Sequence, residues 1–291
     1  MKHASNAWRP LGAMAIVLSF ALCGCSSESD VIAPPDIEGS SAALGGIYEA
    51  TIRSDDQTAN WVLIFGDEAP DGADNRLVAY RQKDSLDEFI TGRFVVNDNT
   101  ADRRANVLWF DLVEVEPELE DITPGEEEEP EFERRIRPAV LNVRLAPDGR
   151  VFGTLSGEEV DATVDGRYVQ NWYERISGFE LSAGEWRDLD PFGRENISLE
   201  FDDQGGFGGR SIEDCTLAGQ LSLINTRFNL YEFFLASRCN ETLDATGLAT
   251  IRPASENPQV DGPSTLIAIV PYRDGSEVLG FFLTPEREPR F

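Results

Sequence analysis

From Gly45 onward the chain alternates short runs rich in β-branched and aromatic residues with Gly, Asp, Asn and Pro punctuation, and no stretch there has the spacing of an amphipathic helix. The runs fall at 47–53, 61–65, 77–81, 89–96, 107–115, 141–145, 151–155 and 168–176, then near Gly184 and at 197–201, 216–223, 230–237, 246–251, 265–272 and 278–283. Two of them alternate strictly: Leu141, Val143 and Leu145 enclose Asn142 and Arg144, and Ile197, Leu199 and Phe201 enclose Ser198 and Glu200. Such alternation gives a strand one buried and one wet face. Pro147-Asp148-Gly149 and Asp274-Gly275 are turn signals, the second of hairpin type. Strands at this spacing, without crossover helices, imply an all-β fold of antiparallel meanders forming two small barrels or sandwiches. About seven or eight candidate strands in each half would close a barrel whose interior is filled by side chains or holds one small ligand.

The boundary between the halves is expected near residue 180, with a first β domain over 45–180 and a second over 181–291. The stretch 114–133, EVEPELEDITPGEEEEPEFE, interrupts the pattern. Its clustered carboxylates would repel one another and lose their hydration if buried, so it reads as a long solvated loop. Neither it nor the group Asp67, Glu68, Asp71 and Asp74 has the ligand spacing of a calcium loop, and no metal or cofactor is assigned.

Residues 1–10 carry Lys2 and Arg9, and 11–22, LGAMAIVLSFAL, are uncharged. That apolar run falls short of the about 20 residues needed to span a bilayer and has the length of a signal-peptide core. Leu22-Cys23-Gly24-Cys25 follows, and it resembles the lipobox of bacterial lipoproteins: Leu at −3, a small residue at −1 and Cys at +1. The resemblance implies a signal peptide over 1–24, cleavage before Cys25, and acyl chains on Cys25 that tether the chain in the cell envelope. Ser26 at the next position implies the outer membrane rather than the inner one. Residues 25–44, rich in Ser, Pro and small residues, then read as the lipidated end and a flexible tether.

The charge balance is strongly acidic, 25 basic side chains against 53 acidic, a formal −28. Removing Lys2 and Arg9 with the signal peptide would leave 23 against 53, or −30. Such a surface repels nucleic acid and favours solubility in salt or a basic partner. The single His is His3 and both Met residues, Met1 and Met14, also precede Cys25. A processed chain would therefore contain no imidazole, which rules out a Ser-His-Asp or Cys-His site and any His-ligated metal.

Cys215 and Cys239 would be the only cysteines of the folded part. In an oxidising envelope an even pair at the ends of neighbouring strands reads as a disulfide, with two buried free thiols as the alternative. The stretch from Leu199 to Leu283 resembles a recurrent domain of uncharacterised bacterial lipoproteins. The resemblance rests on Gly208, Cys215, Gly219, Asn229, Tyr231, Cys239, Gly247 and Ala249, in a Cys-x-x-x-Gly, Asn-x-Tyr, Cys, Gly-x-Ala order. It implies a β-rich fold and an envelope location, and no biochemical activity.

The expected function is a membrane-anchored envelope lipoprotein with a binding or structural role and no catalysis. Partners would be the membrane, through lipid, and a small ligand or envelope protein. One alternative is an inhibitor or assembly partner of a basic envelope protein, which the charge would attract. Another is a glycan hydrolase built on two carboxylates. Trp61, Trp109, Trp172, Trp186, Phe233 and Phe234 are candidates for lining a pocket, although aromatics in strands are usually core.

Overall fold

A computed structural model describes residues 45–55, 57–66, 75–82, 88–96, 102–114, 132–146, 148–189, 194–211, 215–238, 242–254 and 264–286. Cys25, the proposed signal peptide and tether, Cys239, the Asp67–Asp74 group and the interior of the acidic stretch lie outside these residues.

The chain forms two closed antiparallel barrels of eight strands each. The first comprises β1 (Gly46–Ser54), β2 (Thr58–Phe65), β3 (Arg76–Arg81), β4 (Phe89–Val96), β5 (Asp102–Glu114), β6 (Phe132–Leu145), β7 (Arg150–Gly157) and β8 (Asp161–Tyr168). It is an up-and-down meander that closes where β1 pairs with β8, Tyr48 opposite Tyr168 through Ser54 opposite Ala162. Two single turns of helix follow, α1 (Gln170–Tyr173) and α2 (Phe179–Ser182). The second barrel comprises β9 (Gly184–Leu189), β10 (Glu195–Phe201), β11 (Gly206–Ser211), β12 (Thr216–Leu223), β13 (Tyr231–Arg238), β14 (Thr242–Arg252), β15 (Thr265–Pro271) and β16 (Val278–Pro285). Its seam is shorter: β16 meets β9 at Thr284–Arg187 and Pro285–Trp186, and Glu286 N–H donates to Glu185 O at 2.9 Å. Both barrels belong to one compact unit, and among the described residues no helix is long and apolar enough to cross a membrane.

The all-β class and the two barrels follow the strand rhythm, but four elements differ from the sequence reading. The acidic stretch is not loop from end to end: Glu114 pairs with Phe132 and Val113 with Glu133, so β5 and β6 run long. The segment 168–176 is not a strand. Only Tyr168 belongs to β8, and 170–173 turns into α1. Two strands, β8 and β11, are absent from that reading. In β8 the inward positions Ala162, Val164 and Gly166 are small and the outward ones are Asp, Thr and Arg, so the strand mimics a polar loop. In β11, Gly206-Phe207-Gly208-Gly209, a single aromatic carries the inward face.

Each interior is filled with side chains, as expected for eight strands. In the first barrel Trp61 and Trp109 meet edge to face at 5.5 Å, among buried Ile90, Leu141 and Val151. In the second, Phe201, Phe207, Phe233 and Phe281 form a chain of ring contacts at 4.8–5.6 Å.

A third apolar cluster joins the barrels. Val62, Ile64 and Val78, on the outer face of β2 and β3, pack with Leu248, Ile267 and Ile269, on the outer face of β14 and β15. Trp61 to Phe65 and Leu266 to Val270 are therefore buried on both faces, which is why these runs are continuously apolar rather than alternating. Gly280 is required here: a Cβ at this position would sit 2.4 Å from Cζ of Phe89. The Trp172 indole N–H donates to Thr250 Oγ1 at 3.0 Å, fixing α1 against β14.

Asn229 secures the same junction. Its Nδ2 donates to Trp172 O at 3.0 Å and Ile251 O at 2.6 Å, and its Oδ1 accepts from Ile251 N–H at 3.3 Å. β13 pairs with β14 up to Tyr231 opposite Ala249. Two residues earlier, the Asn229 carboxamide takes the place of a main-chain pair opposite Ile251, while its own N–H donates to Tyr173 O at 2.8 Å. Tyr231 Oη bonds both Gly178 N–H and Gly178 O. Asn229 and Tyr231, two residues of the lipoprotein resemblance, thus hold the linker to the second barrel.

Candidate binding cleft

Beside the apolar junction the two barrels part and leave a cleft of about 890 Å³. This lies within the range of about 300–1,000 Å³ typical of small-molecule sites. One wall comes from the outer faces of β3, β4 and β5, the other from β13, β14 and the β15–β16 hairpin.

The register of β3 and β4 places two guanidinium groups on the first wall. Arg76 stands directly opposite Arg93 in the antiparallel pair, and both side chains share the outer face. Directly opposed residues have Cβ atoms about 4.5–5.5 Å apart, and like charges there repel. Arg76 is the more enclosed, its side chain 14% exposed, and it reaches across to the second barrel. There it pairs with Glu232 at 3.0 Å and donates to Gly247 O at 3.4 Å. Thr91, on the same face of β4, is buried in the wall.

The β15–β16 hairpin supplies a third guanidinium, Arg273. Its turn closes through Tyr272 N–H to Glu277 O and Gly275 N–H to Tyr272 O. Gly275 takes φ +74°, a conformation that favours glycine. A Cβ there would also come within 2.9 Å of Cδ1 of Leu108, so the hairpin tip rests on the first barrel. The Asp274 carboxylate accepts from the Ser276 hydroxyl at 2.6 Å and its N–H at 2.9 Å. These bonds hold its pKa below the usual carboxylate range, so it stays ionised as a turn cap. Burial, then the bond with Glu277, pushes the Tyr272 phenol up.

The remaining surface of the cleft mixes polar groups, Asn106, Asp244 and Thr246, with apolar ones. Val95 is 64% exposed and Phe234 40%, two large hydrophobic side chains left facing solvent at one site. Of the aromatics proposed from the sequence as pocket-lining, only Phe234 lines this cleft; Trp61, Trp109, Trp186 and Phe233 are barrel core, and Trp172 is in the junction.

A second polar cluster lies at one end of the first barrel. Asp111 is buried and accepts from Arg137 Nη2 at 2.8 Å and Arg135 Nη2 at 3.2 Å, while the Arg137 guanidinium covers the Trp109 ring at 4.3 Å. The hydrogen bond from Arg135 to Asp111 raises the arginine's pKa further. Both bonds end on Asp111 Oδ2, while the buried Asp111 Oδ1 and Arg137 Nε have no hydrogen-bond partner among the described residues. Among the described residues no three His, Cys, Asp or Glu side chains gather as a metal site.

Cys215, the residue before β12, is buried. None of Arg76, Arg93 or Arg273 stands out in the sequence, because their common wall depends on the β3–β4 register and on two barrels meeting. Comparison with protein-family models, curated proteins and solved structures finds no match to this chain.

Proposed function

We propose that this chain is a membrane-anchored lipoprotein of the cell envelope whose folded part binds a small molecule in the cleft between its barrels. The cleft itself carries the reading. Both interiors are filled by side chains, whereas the cleft is open, of small-molecule volume, and lined by exposed apolar groups beside polar and charged ones. The anchor is supported by the order of basic segment, apolar run and lipobox ahead of Cys25. A Cys215–Cys239 disulfide is supported by the β12–β13 register, which runs to Thr216 opposite Arg238, each the chain neighbour of one of the cysteines.

Thr246 lines the cleft from the outer face of β14, so Thr246→Trp fills it with little effect on either core. Native mass spectrometry of the full chain, extracted from its own membranes, is expected to show a small-molecule adduct that the variant lacks. An adduct equally present in the variant, or absent from both proteins, would overturn the binding assignment.

A further inference from the structure

We infer that one end of the first barrel is a second binding site, for neutral hydroxylic groups: water held inside the wall, or the hydroxyls of a small polyol. The site is separate from the cleft between the barrels and does not depend on that cleft being occupied.

At this end the inward positions turn from apolar to polar. Trp61 stands opposite Arg81, Trp109 opposite Arg137 and Asp111 opposite Arg135. Opposed residues share a face of the sheet, and both tryptophans belong to the inner cluster, so Arg81 and Arg137 are inward positions too. Phe89 and Phe110 pair with each other and belong to the outer junction cluster. By alternation their neighbours Glu88 and Asp111 return to the inner face. Arg81 pairs with Glu88, Arg135 and Arg137 share Asp111 Oδ2, and the Arg137 guanidinium covers the Trp109 ring. The Trp61 and Trp109 rings are themselves 5.5 Å apart, so these groups form one belt across β2 to β6.

Five buried atoms of the belt have no hydrogen-bond partner among the described residues. Trp61 Nε1, Trp109 Nε1 and Arg137 Nε are donors, and Glu88 Oε2 and Asp111 Oδ1 are acceptors. The indoles of Trp172 and Trp186 differ, since they donate to Thr250 Oγ1 at 3.0 Å and to Ser182 O at 2.7 Å. Trp61 is 1% exposed and Trp109 3%, so neither N–H is served by the surrounding solvent. Buried polar groups in folded proteins are met by a partner, and where the chain supplies none an enclosed water or a ligand does. The mixture of unmet groups selects the guest. An anion would accept from the three N–H groups but offer nothing to two carboxylate oxygens. A metal ion would take the oxygens and face three N–H donors. Water and hydroxyls donate and accept at one small oxygen, which a filled interior can admit.

The test is magnetisation transfer from water to the indole N–H groups of the full chain, labelled with nitrogen-15 at tryptophan. Transfer is expected at Trp61 and Trp109 and not at Trp186, whose N–H ends on a main-chain carbonyl. Glycerol and glucose separate the two sources. Transfer that persists in their presence assigns enclosed water. Loss of transfer, with saturating shifts of both indole signals, assigns polyol hydroxyls. Neither transfer nor a polyol response at Trp61 and Trp109 would overturn the site. Chloride, phosphate and calcium are the opposing probes, and saturating shifts of both signals with one of these alone would overturn the neutral class. A crystal structure of the full chain provides a second readout. Oxygen density is expected about 3 Å from at least three of the five atoms, whereas an empty end, or an ion identified there by anomalous scattering, would contradict the inference.

Discussion

Replacing Asn229 by Ala tests how the second barrel is held to its linker. The substitution removes three hydrogen bonds made by a fully buried carboxamide: to Trp172 O, to Ile251 O and from Ile251 N–H. It also leaves both main-chain groups of Ile251 without that partner, in a place where β13 has not yet begun to pair. A net hydrogen bond contributes about 1 kcal/mol, and each buried group left unsatisfied costs about 1–3 kcal/mol, so the expected loss is about 3–5 kcal/mol. Against a total stability of about 5–15 kcal/mol, that is a large fraction. Urea unfolding of the full chain, followed by fluorescence of its tryptophans, should show a lower midpoint at an unchanged slope. Asn196→Ala, which removes one half-exposed bond to Asp188, serves as the control and should cost under about 0.5 kcal/mol. Asn229→Asp should cost at least as much at neutral pH, since a second carboxylate oxygen would face two carbonyls. Part of that loss should return on acidification, because the buried carboxyl has a raised pKa and regains a donor once protonated. A loss below about 1 kcal/mol for Asn229→Ala would refute the claim that this carboxamide replaces a main-chain pair.

Other consequences can be checked with the same protein. Gly280→Ala drives a methyl to within 2.4 Å of Phe89, so a cost of about 1–3 kcal/mol is expected, and Phe89→Leu in the same chain should recover part of it. Burial holds the Tyr231 pKa up to about 12 and raises Tyr48 and Tyr80 further. A folded pKa above the unfolded value of about 10 means the folded state keeps its proton longer, so stability is full below pH 10 and falls as pH rises towards 12. Phenolate absorbance should therefore appear for these residues only as the barrels open; reversible titration near pH 10 with the fold intact would contradict their burial. Reduction, or Cys215→Ser, should lower stability by about 3 kcal/mol, as expected for opening a loop of about 25 residues, whereas two titratable thiols in the native protein would exclude the bridge. Membrane-extracted protein should carry acyl chains on Cys25 as its first residue, and a mass that retains Met1 would exclude the anchor.

Period-two patterning made the barrel class legible wherever one face was clearly apolar, as in β6 and β10. It failed where inward positions are small. Ala162 and Gly166 in β8 signal nothing by hydrophobicity, although Gly166 is tightly placed, with a Cβ there only 2.6 Å from Cβ of Ala50. It was silent about the junction for the opposite reason: Trp61 to Phe65 is apolar at every position, which marks burial on both faces without naming what covers the second. Asn229 and Tyr231 were visible as part of a family pattern, but their roles depend on a linker folding back over them. The cleft was least legible. Arg76 and Arg93 are ordinary in context, and only the register of β3 against β4 sets them opposite each other.

The account turns on the cleft between the barrels being occupied. The most direct measurement is the chemical-shift response of isotope-labelled full chain to the small molecule that co-purifies with it. The account predicts that the largest changes fall on Arg93, Phe234, Thr246 and Arg273, on both walls at once. Changes spread over the outer faces away from the cleft, or confined to one barrel's interior, would contradict it.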